Sequence, residues 1–358
     1  MTAPADQEHL LDSPPQQLDQ NLAAWCQHQG SPDYRGRQVR QHLIEGRILD
    51  PADMTSLPQP LRQSLAEGIL SAPFRKTRIQ RSNDGTMKFY FLLHDGLAVE
   101  SVWIPSGDRG TLCVSSQVGC AAACTFCATG TMKLARNLHP REILGQWLAV
   151  QQATTAEGLV GVTQLVFMGM GEPLHNYEAV SRTIDWLSSP TAFQFSPRRI
   201  TVSTVGIVPK IRQLITDHPQ VRLALSLHSA IESTRNEIVP LNSRHGLDEL
   251  SQLLDEIKTE TRRISLEYVV LPGVNDSAEE AEALAAFAWR SGSHINLLPF
   301  HPFEGAPYQA ATEQHVTQFL ALVEANYDGP VTARRSRGLD IDGACGQLVL
   351  KTRPDPSS

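Results

Sequence analysis

Residues 113–130 read CVSSQVGCAAACTFCATG, which places four of the chain's six cysteines within fifteen residues. Three of them, Cys120, Cys124 and Cys127, form C-x3-C-x2-C, and the run just before, TLCVSS at 111–116, is a short apolar segment of strand type. The cysteine loop therefore follows a strand, and the fold turns on what that strand belongs to.

Downstream the same kind of run recurs as TQLVFM (163–168), RITVST (199–204), RLALSL (222–227), ISLEYVV (264–270) and HINLLP (294–299). Between them lie amphipathic stretches such as PREILGQWLAVQQA (140–153), LDELSQLLDEIKTET (247–261) and SAEEAEALAAFAWR (277–290), with apolar residues at helical spacing. Alternating strand and helix predicts parallel pairing, as an incomplete β/α barrel or a doubly wound sheet. Upstream, NLAAWCQHQG (21–30), YRGRQVRQHLIEG (34–46) and LRQSLAEGIL (61–70) read as a small helical unit. KFYFLLHDGLAVESVWIP (88–105) reads as a hairpin turning at Asp95-Gly96. The resulting division is a flexible tail over 1–17, a helical accessory unit over 18–72, a hairpin linker over 73–105, a barrel over 106–338 and a C-terminal segment over 339–358.

A net charge of −7 argues against non-specific coating of nucleic acid, yet two cationic stretches stand out, FRKTRIQRS (74–82) and TARRSRG (332–338). The N-terminus has no signal-peptide pattern and no run is long enough to span a bilayer, so the expected location is cytoplasmic. In a reducing compartment clustered cysteines ligate metal or do chemistry more often than they form lasting disulfides. Structural zinc would need a fourth ligand, and Cys113 or His139 would have to supply it. Three cysteines on a four-iron cluster leave one iron open, which is useful for binding a substrate. MGMGEP at 168–173 lacks the lysine and hydroxyl residue of a phosphate loop, and Cys26 reads as helix surface or packing.

The C-x3-C-x2-C loop resembles the signature of radical S-adenosylmethionine (SAM) enzymes. Together with CVSSQVGC, RNL (136–138), MGMGEPLHNY (168–177), ITVSTVG (200–206), LSLH (225–228), EYVVLPGVND (267–276), INLLPFHPFEGAPY (295–308) and RGLDIDGACGQL (337–348), it is similar to the RlmN/Cfr family of RNA adenosine methyltransferases. The resemblance runs from about residue 34 to 348. It departs at Lys133-Leu134, at Ser229-Ala230 and at His301.

The resemblance implies an α/β fold, an incomplete (β/α)6 radical SAM barrel with a small N-terminal helical RNA-binding domain. It implies a [4Fe-4S] cluster on Cys120, Cys124 and Cys127, with SAM used twice per turnover. One SAM methylates Cys345, and a second, cleaved reductively, generates the radical that takes hydrogen from the S-methyl group. Cys113 then resolves the enzyme–RNA adduct, leaving a transient disulfide with Cys345, and Glu100 handles the ring proton. Gly171 and Glu172, with Ser203, Ser226, Leu227, His228 and Asn296, are implied to bind SAM, Glu172 through the amino group. The implied substrate is an adenosine of 23S rRNA, methylated at C2, with the adenosine 3′ of the tRNA anticodon left open as a second. Methylation at C8 is the alternative within the family, and a non-catalytic zinc-stabilised RNA-binding protein is the alternative of another class. The implied electron donor is flavodoxin, the implied state a monomer, with no membrane partner.

Overall fold

The strand after the cysteine-free hairpin is the hinge of the architecture, because the sheet changes direction there. The structure, a computed structural model, describes residues 8–259 and 264–348. β1 (Lys76–Arg81), β2 (Met87–Leu92) and β3 (Ala98–Ser106) pair antiparallel, and β3 pairs antiparallel with β4 (Arg109–Cys113). From β4 onward the same sheet is parallel. β7 (Gln164–Phe167), β8 (Ile200–Thr204), β9 (Arg222–Ser226), β10 (Ile264–Val270), β11 (His294–Pro299) and β12 (Val331–Ala333) follow in spatial order after two short strands, β5 (Gln117–Val118) and β6 (Arg136–Asn137), that form a separate ribbon.

All six strands expected of the barrel occur, and β12 adds a seventh parallel one. At three residues it is too short to show a period. The expected hairpin is β2–β3; it is hydrogen-bonded into the barrel's sheet through β3, and the cationic stretch before it becomes the edge strand β1. Arg75, Lys76, Arg78 and Arg81 are exposed there, as suits an edge that must not pair with another chain.

The helices cover the outer face of the parallel strands. α5 (Pro140–Ala156) follows β6, α6 (Tyr177–Ser188) and α7 (Val208–Asp217) follow β7 and β8, and α9 (Leu247–Ile257), α10 (Ala278–Ser291) and α11 (Glu313–Asn326) complete the layer. α9 shows the pattern plainly: Leu247, Leu250, Leu253, Leu254 and Ile257 are buried at helical spacing. α10 starts where the Ser277 hydroxyl accepts the Glu280 N–H and stops at Gly292, whose φ of 59° suits a left-handed cap.

The helical unit comprises α1 (Leu18–His28), α2 (Tyr34–Arg40) and α3 (Gln59–Glu67) around buried Leu22, Trp25, Cys26, Val39, Leu43 and Leu65. It docks on the outside of α5 and α6. Arg40 donates to the Thr191 carbonyl at 2.6 Å and Gln152 to the Arg47 carbonyl at 2.6 Å. The expected tail falls partly outside the described residues; from residue 8 onward it is packed, with Leu10 and Leu11 buried and the Ser13 carbonyl accepting from the Trp186 indole at 2.9 Å. Two leucines that find an apolar seat outweigh the polar composition around them.

Among the described residues, no helix is long and apolar enough to cross a membrane.

Candidate active site

The cysteine loop is a closed structure before any ligand is considered. Its base is pinned by the antiparallel pairs Gln117–Asn137 and Val118–Arg136 of β5 and β6. Within it Ala123 takes a φ of 55°, and Gly119 and Gly130 sit where a Cβ would lie 2.1 Å from the Lys133 carbonyl oxygen and 2.4 Å from that of Cys124. The loop is tied to two neighbours: Thr125 N–H donates to the Ile238 carbonyl at 3.1 Å, and the Thr125 and Tyr308 hydroxyls are 2.5 Å apart. Cys120, Cys124 and Cys127 all line one cavity.

Gly171, Glu172, Ser203, Ser226, His228 and Cys345 line the same cavity, whose volume is about 160 Å³. They arrive from four places, Gly171 and Glu172 after β7, Ser203 on β8, Ser226 and His228 at the end of β9 and Cys345 from the C-terminal segment, at or beyond the C-terminal ends of parallel strands, where β/α barrels place their chemistry. Gly171 has a φ of 98°, and a Cβ there would lie 2.5 Å from that of Gln117. Its neighbour Glu172 is buried, with one carboxylate oxygen accepting from Leu174 N and the other from Val205 N, both at 2.9 Å. Burial outweighs those bonds and pushes its carboxyl up to about 7. Burial likewise pushes the Cys120 thiol up to about 12 and raises Cys124 and Cys127; the Glu172 charge adds to the effect at Cys120 and Cys124. Glu172 shares the cavity wall with the cysteine loop.

His228, at the end of the β9 run, holds a φ of 60°, unusual for a side chain with a Cβ. Its Nδ1 accepts from Val269 N at 3.0 Å, and its ring meets the Phe126 ring edge-on at 4.5 Å. Burial and then Arg235 lower its pKa to about 3, so it is a neutral ring with its proton on Nε2. Leu227 is fully buried behind it and offers its backbone N–H to the Glu267 carbonyl at 3.0 Å.

Cys345 reaches the cavity from the far end of the chain because its segment is tied at both ends. Upstream, Asp340 accepts from the Ser82 hydroxyl at 2.5 Å and from Asn83 N at 3.1 Å, while Gly338 N donates to Asp84 at 3.0 Å. Downstream, the Gly346 carbonyl accepts from Ala128 N at 2.7 Å, and the Leu348 carbonyl from the Thr129 hydroxyl at 2.7 Å. Ala128 and Thr129 open α4 (Ala128–Thr131), the turn directly after the third cysteine of the loop. Cys345 itself stays exposed to the cavity.

Cys113, Glu100 and Asn296 do not line the cavity. Cys113 is buried at the end of β4, near enough to Cys345 that, after burial, the Cys345 charge is the next influence raising its thiol. Glu100 is buried on β3, and the register Val102–Cys113 puts Glu100, two residues from Val102, on the same face of the sheet as Cys113. Asn296 is buried on β11 and donates its amide to Glu267 at 2.8 Å.

Three residues of this site were not among the candidate site residues, although Glu267 opens EYVVLPGVND and Arg334 lies in TARRSRG. Glu267 and Arg334 line the cavity. Arg235, on α8 (Glu232–Ile238), is fully buried behind it and donates to the carbonyls of Leu227 at 3.0 Å and Val205 at 2.6 Å, fixing the turns after β8 and β9. A glutamate inside an otherwise apolar strand, ISLEYVV, is the signal that exposes Glu267; Arg235 in ESTRNEI reads as a solvated helix face.

The Radical SAM superfamily matches residues 114–287. The probable dual-specificity RNA methyltransferase RlmN of Gemmatimonas aurantiaca is 42% identical over 95% of this chain and 92% of its own length. The dual-specificity RNA methyltransferase RlmN of Desulfotalea psychrophila is 43% identical over 92% of each chain. The chain belongs to the RlmN family of radical SAM RNA methyltransferases. A crystal structure of a radical SAM methyltransferase from Sphaerobacter thermophilus superposes with a TM-score of 0.89 at 40% identity, covering 95% of this chain and 99% of that one.

Membership of the radical SAM superfamily implies SAM and a [4Fe-4S] cluster, and the donor set fits both. Three thiols on one cavity wall would hold such a cluster with one iron left open. The buried Oε2 of Glu267 and Oδ1 of Asn296 have no hydrogen-bond partner within the protein, which suits a ligand rich in donors.

Proposed function

We propose that this RlmN-family enzyme methylates C2 of an adenosine in the peptidyl-transferase region of 23S rRNA, and takes the adenosine 3′ of the tRNA anticodon as a second substrate. The observation that carries the reading is the arrival of Cys345 at the wall that holds Cys120, Cys124, Cys127 and Glu172, with Cys113 close behind. The term dual-specificity in the names of the relatives supports two RNA substrates.

C2 of adenine is an electron-poor amidine carbon and does not attack an electrophilic methyl group, so the chain must offer another route. When bound on Cys120, Cys124 and Cys127, the cluster supplies the electron that cleaves SAM to the radical which takes a hydrogen atom from the methylated Cys345. Glu172 holds the amino group of SAM, while Gly171, Ser203, Ser226, Leu227, His228 and Asn296 complete its pocket. Two molecules are used per turnover, one to load Cys345 with a methyl group and one to activate it. The Cys345 methylene radical then adds to C2 of the adenine, and the adduct radical would give up one electron to the iron–sulfur centre that Cys120, Cys124 and Cys127 hold. Glu100 accepts the ring proton, Cys113 attacks the Cys345 sulfur, the sulfur–carbon bond breaks with its electron pair on the carbon, that carbon takes up a proton to become the methyl group, and the Cys113–Cys345 disulfide left behind is reduced by an external thiol.

An exposed cationic edge at β1, with the helical unit beside the barrel, is the proposed RNA-binding face. A flavodoxin-class donor, a monomeric state and a cytoplasmic location complete the reading. Mass spectrometry of nucleosides from 23S rRNA and tRNA of cells with and without the gene tests it. Gene-dependent 2-methyladenosine in rRNA supports the proposal, and its presence in tRNA supports the second substrate; 8-methyladenosine in its place overturns the regiochemistry.

A further inference from the structure

Four polar side chains stand at one level on adjacent strands of the barrel. Ser226 on β9 is in register with Glu267 on β10, and Glu267 with Asn296 on β11. Ser203 on β8 joins the row through its hydroxyl, 3.1 Å from that of Ser226. Paired positions in a parallel ladder present their side chains to the same face, so the row forms a polar belt across an otherwise apolar wall. Glu267 is its one ionisable member.

The two oxygens of Glu267 do different things. Oε1 accepts from the Ser265 hydroxyl at 3.0 Å and from Asn296 Nδ2 at 2.8 Å. That second bond fixes the amide of Asn296: with its NH2 held by the carboxylate, its Oδ1 is presented as an acceptor. Oε2 is left without a partner although buried, and so is Asn296 Oδ1. Two adjacent buried acceptors with nothing to accept from are costly in a folded protein unless a ligand supplies the donors.

We infer that Glu267, on the cavity wall, is a further binding residue of the SAM site, taking a ribose hydroxyl on Oε2 and holding Asn296, in the layer directly behind it, with Oδ1 turned to the neighbouring hydroxyl. The inference rests on the reading of this cavity as the SAM pocket. SAM carries three groups of donors, and the site distributes them. The ammonium belongs with Glu172, which follows β7 and shares the cavity wall with Cys120 and Cys124. Glu267 stands three strands further along the sheet, on β10. Of the remaining donors, the two vicinal hydroxyls of the ribose match two side-by-side acceptors that have no hydrogen to give.

The test is binding. Cluster-loaded wild type and Glu267→Gln are titrated anaerobically with SAM and with its 2′-deoxy and 3′-deoxy analogues, with iron content and circular dichroism checked for both proteins. Wild type should lose about 10- to 100-fold in affinity when either hydroxyl is removed, the range for a hydrogen bond to a charged group. Glu267→Gln should bind SAM more weakly by a similar factor and discriminate little between SAM and the analogues, because the variant puts an NH2 donor where the acceptor was. A wild type that binds no SAM overturns the reading of the cavity, and this inference with it. A wild type that binds SAM and both deoxy analogues equally well overturns the inference alone, whether or not the variant folds. So does a Glu267→Gln enzyme with wild-type affinity and wild-type discrimination.

Discussion

Lys88 Nζ lies 3.3 Å from Glu100 Oε1, with both side chains buried on neighbouring antiparallel strands. Lys88 pairs with Val102 and Tyr90 with Glu100, so the two charges are diagonal neighbours on the face that also carries Cys113. Breaking a buried ion pair by removing one member costs about 3–5 kcal/mol. Lys88→Met should therefore lower the urea midpoint sharply, and adding Glu100→Leu should restore much of the loss. A Lys88→Met protein as stable as wild type would show that the pair is not a closed buried contact. Separately, Glu100→Gln should abolish methylation of RNA while leaving SAM cleavage intact.

The proposed cluster ligands make a second expectation. Cys120→Ala, Cys124→Ala and Cys127→Ala should each lose iron and SAM cleavage, because three thiols are the smallest set that holds a cubane with one open iron. Cys26→Ala, a change in the packing of α1, should keep full iron content. Anaerobic reconstitution followed by iron and sulfide assay reads both outcomes; a ligand variant that retains its full cluster would remove that cysteine from the set.

Acid should loosen the N-terminal segment. His9 is held neutral: its Nδ1 accepts from Leu11 N at 3.2 Å and its Nε2 meets the Ser71 carbonyl at 3.1 Å. Burial lowers its pKa from 6.5 to about 4, against the pull of Asp12. A group whose folded pKa is depressed stabilises the fold above its unfolded pKa, so this contribution is complete above 6.5 and is lost as pH falls through 4. The full effect is on the order of 3 kcal/mol. Urea denaturation of wild type and His9→Gln should show a stability difference that is largest near neutral pH and shrinks across that window. A constant difference would place the histidine's role in packing alone.

Salt dependence tests the RNA-binding face. Arg81 is tied to Glu157, whereas Arg75, Lys76 and Arg78 are exposed along β1. Reversing those three should weaken RNA binding and flatten the plot of log affinity against log salt, by about 0.7 to 0.9 for each phosphate that is no longer neutralised. An unchanged slope would reduce β1 to a protected sheet edge.

Most of the barrel was legible because its strands are short apolar runs separated by amphipathic helices, and that alternation leaves few alternatives. The cysteine loop was legible by spacing. β12 was not, since Val331–Ala333 is too short to show a period and is recruited by its neighbour β11. Residues 8–17 were misread for a related reason: Leu10 and Leu11 are two apolar residues in a polar stretch, and only the packed partner shows that they are seated. Within the site, the strand ISLEYVV and the motif EYVVLPGVND were legible, yet Glu267 gains its role only from register with Ser226 and Asn296. Arg235 left no trace, because a buried arginine held by carbonyl groups looks the same in sequence as an exposed one. The meeting of Cys113 with Cys345 came from family likeness alone; what brings the two ends together is the anchoring of residues 338–348 to the turn after β1 and to α4.

The division of labour between those two cysteines is the centre of the account, and trapping measures it most directly. Cys113→Ala and Cys345→Ala are incubated anaerobically with SAM, reductant and RNA, denatured, digested with nuclease and analysed by mass spectrometry. Cys113→Ala should still load Cys345, attack the adenine and then stall, leaving a nucleotide joined through one carbon to Cys345. Cys345→Ala should form no adduct. Turnover by both variants, or an adduct on any other residue, would contradict the mechanism.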